Sequence, residues 1–212
     1  MSTALLLCGC LTACSAGDEP PDGAEPTTTE TGLTDECGNI FTPVVASAAE
    51  EITGSTEAVA YKVLTPAEIA EKLIHEAYGP EQIYEVGGYD LCQIWPSASS
   101  FFESLTISHS TARQFELEDV DLPDGSLVFP IGRRAYATSE TAVIYFDCVI
   151  PSAGGRSTTV TTVASRMGLH PEPGQESTVM RLAHAAAFDL AGEMGCEDDG
   201  GLTEEPDLRP VE

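Results

Sequence analysis

Basic residues are scarce in this 212-residue chain, and the scarcity limits the partners that it can bind. Nine Lys and Arg stand against 35 Asp and Glu, so the formal net charge is −26 at pH 7. Binding to nucleic acid needs clustered basic side chains that neutralise phosphates, and anionic lipid headgroups repel an acidic surface. We therefore expect no nucleic-acid partner. The acidic excess favours solubility, and it would also attract a cationic ligand.

The common catalytic signatures are absent as well. The chain contains no GxSxG elbow, HExxH pair, Walker loop or SxxK motif, which disfavours the best-known hydrolases, metalloproteases and nucleotide-binding enzymes. Four histidines stand singly in the sequence, and such residues are more often structural than catalytic: His75, His109, His170 and His184. The sequence predicts no catalytic residue and no cofactor, so an enzyme is the less favoured interpretation.

An amino-terminal anchor is the clearest positive feature. Residues 4–13 form an apolar run of about ten residues, which has the length of a signal-peptide core and is too short to span a bilayer. The run ends in Leu11-Thr12-Ala13-Cys14, which resembles a lipobox. We predict a signal peptide over residues 1–13 and acylation of Cys14, which would hold the protein on the outer face of the cell membrane. Cys10 is the alternative acylation site.

Acidic, weakly apolar segments flank the middle of the chain. Residues 15–36 are rich in Pro, Thr, Gly and acid, and such a composition cannot bury enough apolar surface to fold. We predict a lipidated, disordered tether over residues 14–36, a folded domain over residues 37–196 and a disordered acidic tail over residues 197–212. The tether would span about 25 Å.

Four cysteines remain in the predicted domain. Cys37, Cys92, Cys148 and Cys196 are an even number in a chain with an export signal, which favours two disulfides. Three pairings are possible, and we prefer Cys37 with Cys92 and Cys148 with Cys196. This choice places Cys148 in an inner strand and Cys196 at the end of a helix packed on the same sheet. No cysteine or histidine spacing indicates a metal site.

The hydrophobic pattern predicts an α+β fold with one antiparallel sheet and helices packed on it. The capping sequence Thr65-Pro66-Ala67-Glu68 starts a helix that runs to Tyr78. In that helix Ile69, Leu73 and Ala77 form the buried stripe, and Glu76 lies on the side that faces water. A second helix is predicted over Ser177–Met194 and a shorter one near residues 44–52. Alternating segments predict a meander of antiparallel strands between residues 58 and 165, with Thr141–Ile150 as an inner strand.

Three further clusters have binding chemistry, each with a simpler structural explanation. The acidic cluster from Glu116 to Asp124 would suit calcium, although its spacing does not match an EF-hand, and a solvated loop is the more frequent outcome. The basic pair Arg133-Arg134 would grip an anion, with Glu140 as the simpler surface partner. Tyr84, Tyr89 and Trp95 would line a groove for sugars or peptides, whereas core or disulfide packing is the default for aromatic residues.

The lipobox with its tether, the segment Leu64-Thr65-Pro66-Ala67-Glu68-Ile69-Ala70 followed by Cys92 and Trp95, and the Ala-rich terminal helix resemble actinobacterial secreted lipoproteins of unknown function. A weaker similarity is to the extracellular sensor domains of mycobacterial receptor kinases. These resemblances imply a two-disulfide α+β domain and provide no catalytic residue. The sequence thus predicts a lipid-anchored binding or sensor domain. The alternatives are an enzyme acting on cell-wall material and an accessory subunit of a membrane complex.

Overall fold

The structure is a computed structural model that describes residues 37, 40–78, 88–97, 102–112, 121–151 and 154–211. Cys14 and the predicted signal peptide and tether lie outside the described residues. Within the described part, three helices and seven strands are present. The helices are α1 (Pro43–Thr53), α2 (Pro66–Tyr78) and α3 (Glu176–Met194). The strands are β1 (Val59–Lys62), β2 (Tyr89–Trp95), β3 (Ser104–Ala112), β4 (Leu127–Phe129), β5 (Arg134–Ala137), β6 (Thr141–Ile150) and β7 (Arg156–Met167).

All seven strands belong to one antiparallel sheet, and the predicted α+β fold is confirmed. The strand order is β1-β2-β3-β7-β6-β5-β4. This order differs from the single meander expected from the sequence. The first three strands and the last four each form a meander, and the pairing of β3 with β7 joins the two halves.

The helix starts follow their capping sequences. The Thr65 hydroxyl accepts a hydrogen bond from the Glu68 backbone N–H at 3.2 Å, and the Glu68 carboxylate accepts one from the Thr65 N–H at 2.8 Å. This reciprocal pair is the predicted capping box of α2. Helix α1 starts with Thr42, whose hydroxyl accepts from the Val45 N–H at 3.4 Å.

The helices pack on one face of the sheet and enclose the main core. Ile69 and Leu73 of α2 are fully buried, as the sequence predicts. Helix α3 contributes small and medium side chains against β6 and β7, including Ala183, Ala187 and Leu190. Small residues on this helix let its backbone approach the sheet closely, so the helix covers two inner strands.

Two disulfides connect the helical side of the molecule to the sheet. Cys37 pairs with Cys92 on β2, with Cα atoms 5.5 Å apart. Cys148 on β6 pairs with Cys196 directly after α3, with Cα atoms 4.9 Å apart. Both pairs agree with the preferred connectivity. The second disulfide fixes the end of α3 to the inner strand on which the helix packs.

The carboxyl-terminal segment does not behave as the predicted disordered tail. After Gly195 the chain makes a left-handed turn over Glu197–Gly201 and then runs back along the domain. Leu202 is buried, the Ser177 hydroxyl donates to the Leu208 carbonyl at 3.2 Å, and Val211 pairs with Val128 on the edge of the sheet. Buried Leu202, partly buried Leu208 and the backbone bridge at Val211 thus hold a segment whose overall composition is acidic.

Candidate binding face

The face of the sheet opposite the helices is the candidate binding face, and strand alternation decides which side chains lie on it. On β3, Leu105, Ile107 and His109 point into the main core and are almost fully buried. The intervening residues of β3 therefore lie on the opposite face. The same alternation holds on β7, where Val160 and Ala164 are buried in the main core. No helix of the described residues packs on this second face.

The strand register arranges the face into cross-sheet rows. One row crosses five strands without a charged residue, and we call it the hydroxyl row: Tyr61, Gln93, Thr106, Ser165 and Thr141. Its members are paired neighbours from β1 to β6, so the row is about 19 Å long at the usual strand spacing. Three of its five side chains carry a hydroxyl on a β-carbon, which can donate and accept hydrogen bonds.

An aromatic pair forms one end of the hydroxyl row. The rings of Tyr61 and Trp95 are stacked with centroids 6.1 Å apart and an interplanar angle of 23°. The Tyr61 side chain is 58% exposed, while Trp95 is half-buried. Phe102 and Met167 are also strongly exposed, and Met167 pairs with Ser104 next to the row. This corner presents flat apolar surface to solvent.

A shallow cavity of about 480 Å³ lies at the other end, beside Thr141. Its remaining lining residues are mostly polar: Pro123, Asp124, Tyr136, Thr138, Ser139 and Glu140. Next to it, Tyr136, Val143 and Tyr145 form a small second core on the open face with Leu122 and Val163. The loop that carries Leu122 therefore covers one corner of the face, whereas no described helix covers the corner at β1 and β2.

Among the described residues, charged groups lie on and around this face outside the hydroxyl row. Asp147 accepts a hydrogen bond from the Thr159 hydroxyl at 2.6 Å and forms an ion pair with Arg133 at 3.3 Å. The structure thus gives Arg133 a different partner from the predicted Glu140, since Asp147 lies on the neighbouring strand beside it. Asp90 pairs with Ser108 and lies at the margin of the face.

The three aromatic residues expected to form a groove do not come together. Tyr84 lies outside the described residues. The Tyr89 hydroxyl donates to the Glu76 carboxylate at 2.5 Å on the helical side of the sheet, whereas Trp95 lies on the open face. Core packing, the default expectation, is correct for Tyr89 and wrong for Trp95. Tyr61 was not singled out in the sequence, although the alternation of Val59 and Tyr61 is the signal that places them on one face.

A buried polar cluster on the helical side contains Glu76, for which the prediction from the sequence is wrong. Glu76 was expected to face water, but its exposure is only 7%. Its carboxylate accepts from Tyr89 and, at 3.3 Å, from the Thr111 hydroxyl. The side chain lies between α2 and the strands β2 and β3, where these two partners replace water. This arrangement stabilises the packing of α2 and is closed to a substrate.

Within the described ranges, no hydrogen bond or ion pair joins a histidine to a carboxylate. His109 is buried and its Nδ1 lies 2.9 Å from the Thr162 hydroxyl, and burial lowers its pKa to about 3. Burial also lowers the pKa of His184 to about 4, against an opposing hydrogen bond to the backbone of Thr203. His75 and His170 are exposed, on α2 and in a loop respectively. Both buried rings therefore stay neutral and structural near neutral pH.

The remaining predicted sites show no ligand-binding arrangement in the described residues. Glu116, Glu118 and Asp119 lie outside them, and Asp121 and Asp124 are exposed. Within the described ranges no group of three or more His, Cys, Asp or Glu is placed to hold a metal ion. A second cavity of about 410 Å³ lies between α1 and α3, where the Thr178 hydroxyl donates to the Glu51 carboxylate at 3.1 Å.

Comparison of the chain with protein-family models, curated proteins and solved structures gives no match. The resemblance to secreted actinobacterial lipoproteins therefore stays a prediction. Of the helices in the described part, none is both long and apolar enough to cross a membrane.

Proposed function

We propose that this protein is an exported, lipid-anchored binding domain that presents the open face of its sheet to an extracytoplasmic ligand. The observation that carries the proposal is the seven-stranded sheet with helices on one face and an uncharged hydroxyl row on the other. No described helix covers this face, so the side chains of the hydroxyl row are available for recognition.

The compartment is inferred from the cysteines. The two disulfides fit an oxidising environment outside the cytoplasm, and Leu11-Thr12-Ala13-Cys14 would supply the acylated cysteine. An acylated cysteine with more than one chain stays in a bilayer almost permanently. The segment after it ends at Cys37, which is bonded to β2, so any pull on the tether would reach the sheet directly.

Intact mass spectrometry of protein purified from its native membrane tests the anchor. We expect a chain that begins at an acylated Cys14, and four further cysteines that react with a thiol label only after reduction. The Cys14→Ala variant should move to the aqueous phase on detergent partitioning. The matched Cys10→Ala variant should stay in the detergent phase, and the reverse result would assign the anchor to Cys10. An unacylated chain with free thiols would refute the proposal.

The enzyme alternative has one supporting observation. Asp124 and Glu140 both line the cavity beside Thr141, and paired carboxylates are the usual groups in hydrolysis of glycosidic bonds. The test is release of reducing sugar from cell-wall polysaccharide. If the chain releases sugar and both Asp124→Asn and Glu140→Gln abolish the release, the function is catalysis and not binding. Retention of ligand without turnover would favour the binding domain.

A further inference from the structure

We infer that the open face binds a neutral, hydroxyl-rich polysaccharide, with the Tyr61–Trp95 pair and the hydroxyl row as the binding platform. The inference rests on the proposed function and goes beyond it by naming the class of ligand and the residues that hold it. The supporting observations have three parts: the charge of the face, the aromatic pair and the hydroxyl row.

The charge of the face is the first part. The chain carries 35 acidic residues, yet the hydroxyl row and the Tyr61–Trp95 pair contain none. A charged ligand, whether positive or negative, would favour groups of opposite charge in the protein surface that contacts it. An uncharged row in so acidic a chain points to an uncharged ligand, because an anionic polymer would be repelled by the rest of the surface.

The aromatic pair is the second part. The two rings lie nearly parallel, with an interplanar angle of 23°, and Tyr61 is 58% exposed. The π-face of such a ring is negative and attracts positively polarised C–H groups. The flat side of a sugar ring presents a set of C–H groups with this polarity. Tyr61 and Trp95 would therefore stack on a sugar unit and leave its hydroxyl groups free.

The hydroxyl row is the third part. Thr106 and Ser165 are paired neighbours in the middle of the sheet, and Gln93 and Thr141 extend the row on either side. Hydroxyl and amide groups both donate and accept, as sugar hydroxyl groups do. The row leads from the aromatic pair toward the cavity that Thr141 lines. A linear oligosaccharide would follow it across the strands.

A peptide ligand fits this face less well. An extended peptide gains its affinity from backbone hydrogen bonds at the edge of a sheet, and the hydroxyl row lies across the middle, where the strand backbones already pair with each other. Two copies of the chain would each bring a net charge of −26, which opposes face-to-face association.

Trp95 is the only tryptophan of the chain, so its fluorescence reports directly on the platform. The disulfide-bonded protein is titrated with four neutral polysaccharides: a β-glucan, an α-glucan, a mannan and a galactan. Polygalacturonate serves as the acidic comparator. We expect saturable change of the Trp95 emission with at least one neutral polymer, equal affinity at 0.05 and 1 M NaCl, and no response to polygalacturonate.

Variants of the platform residues test whether the polymer binds at this site. Affinity electrophoresis in the polymer that responds should show about tenfold weaker binding for Tyr61→Ala and Trp95→Ala, and nearly unchanged binding for Tyr61→Phe and Trp95→Phe. Thr106→Val removes one hydroxyl at constant shape and should weaken binding about threefold. Val44→Ala, on exposed surface of α1, is the control and should bind as the parent chain does. Thermal melting of each variant shows whether the fold is retained.

Each other outcome has a definite meaning. Binding that is lost in the Val44→Ala control, or retained in a folded Trp95→Ala variant, would place the ligand elsewhere and overturn the inference. A Trp95 response to phosphatidylcholine vesicles and to none of the polymers would assign the corner to a lipid surface. Co-purification of one protein that is lost in Tyr61→Ala, with no polymer response, would assign it to a protein partner. An acylated, disulfide-bonded chain that binds no neutral polymer refutes this inference alone, whereas an unacylated chain with free thiols refutes the proposed function.

Discussion

His109 and His184 make the stability of the protein depend on pH at the scale of single residues. Burial holds their pKa values at about 3 and about 4, below the ordinary value of 6.5. In the unfolded chain both rings take up protons as the pH falls below about 6.5, and in the folded chain they do not. The unfolded state thus binds more protons, and acid destabilises the fold between pH 6.5 and about 4.

Urea unfolding at several pH values tests this linkage. The free energy of unfolding should fall by about 1.4 kcal/mol per pH unit for each buried histidine over that range. His109→Gln keeps a hydrogen-bonding group for Thr162 and removes the titrating ring, so it should flatten the dependence by the contribution of one residue. His75→Gln, at an exposed position, should leave the slope unchanged. An equal slope in His109→Gln would show that the ring is protonated or solvated in the fold.

Glu76 is the second residue whose environment makes a prediction. Glu76→Ala removes the carboxylate that accepts the Tyr89 hydroxyl under α2 and should lower the free energy of unfolding by about 2 kcal/mol. Tyr89→Phe removes the donor and should cost a similar amount. Because the two changes remove one interaction, the double variant should cost less than their sum. Glu71→Ala, exposed on the same helix, should stay within about 0.5 kcal/mol of the parent chain.

At the scale of elements, local chemistry made the helices and most strands predictable. The capping box at Thr65 and the spacing of Ile69 and Leu73 act within one or two turns, so the sequence contains the whole signal. The two ends of α3 were likewise correct to one residue. Short-range patterns of this kind do not depend on the partner against which the element packs.

Long-range pairing was not predictable in the same way. The neighbours Ser165 and Thr106 come from β7 and β3, which are far apart in sequence, so no local pattern reveals the hydroxyl row. The prediction that Glu76 is exposed was wrong for a related reason. Its position on the helix indicates a solvent-facing side chain, and only the strand partners Tyr89 and Thr111 make its burial favourable. The prediction of a disordered carboxyl-terminal tail was wrong because contacts of a few apolar residues with the domain outweigh the acidic composition of the segment.

The left-handed turn after α3 depends on Gly200. Its φ is +68°, and a Cβ at this position would lie 2.7 Å from Cδ2 of the buried Phe146 ring. Gly200→Ala should therefore destabilise the protein by about 3 kcal/mol, from the backbone conformation and the clash together. Gly201 has a similar φ of +74° but open space around the added atom, so Gly201→Ala should cost only about 1 kcal/mol. Equal losses in thermal unfolding would show that the ring of Phe146 can move.

At the scale of the whole molecule, the two disulfides reduce the number of conformations that the unfolded chain can adopt. Each closes a loop of similar length, with sequence separations of 55 and 48 residues. The double variant Cys148→Ala/Cys196→Ala should lose about 4 kcal/mol of unfolding free energy by chain entropy, measured by urea denaturation against the oxidised parent. Peptide mapping of the non-reduced protein checks the connectivity, and a Cys37–Cys148 peptide would contradict it.

The bridge between Val128 and Val211 has a consequence for assembly. Sheets from separate molecules can join edge to edge, and continued growth of this kind requires two free edges on every molecule. In this protein Val211 bridges Val128, the middle residue of the outer strand β4, while no described strand pairs with the outer side of β1. A sheet with a single free edge joins one neighbour and then stops. Among the described residues the Val128–Val211 bridge thus leaves β1 as the unpaired edge, and we expect association through that edge to end at a pair.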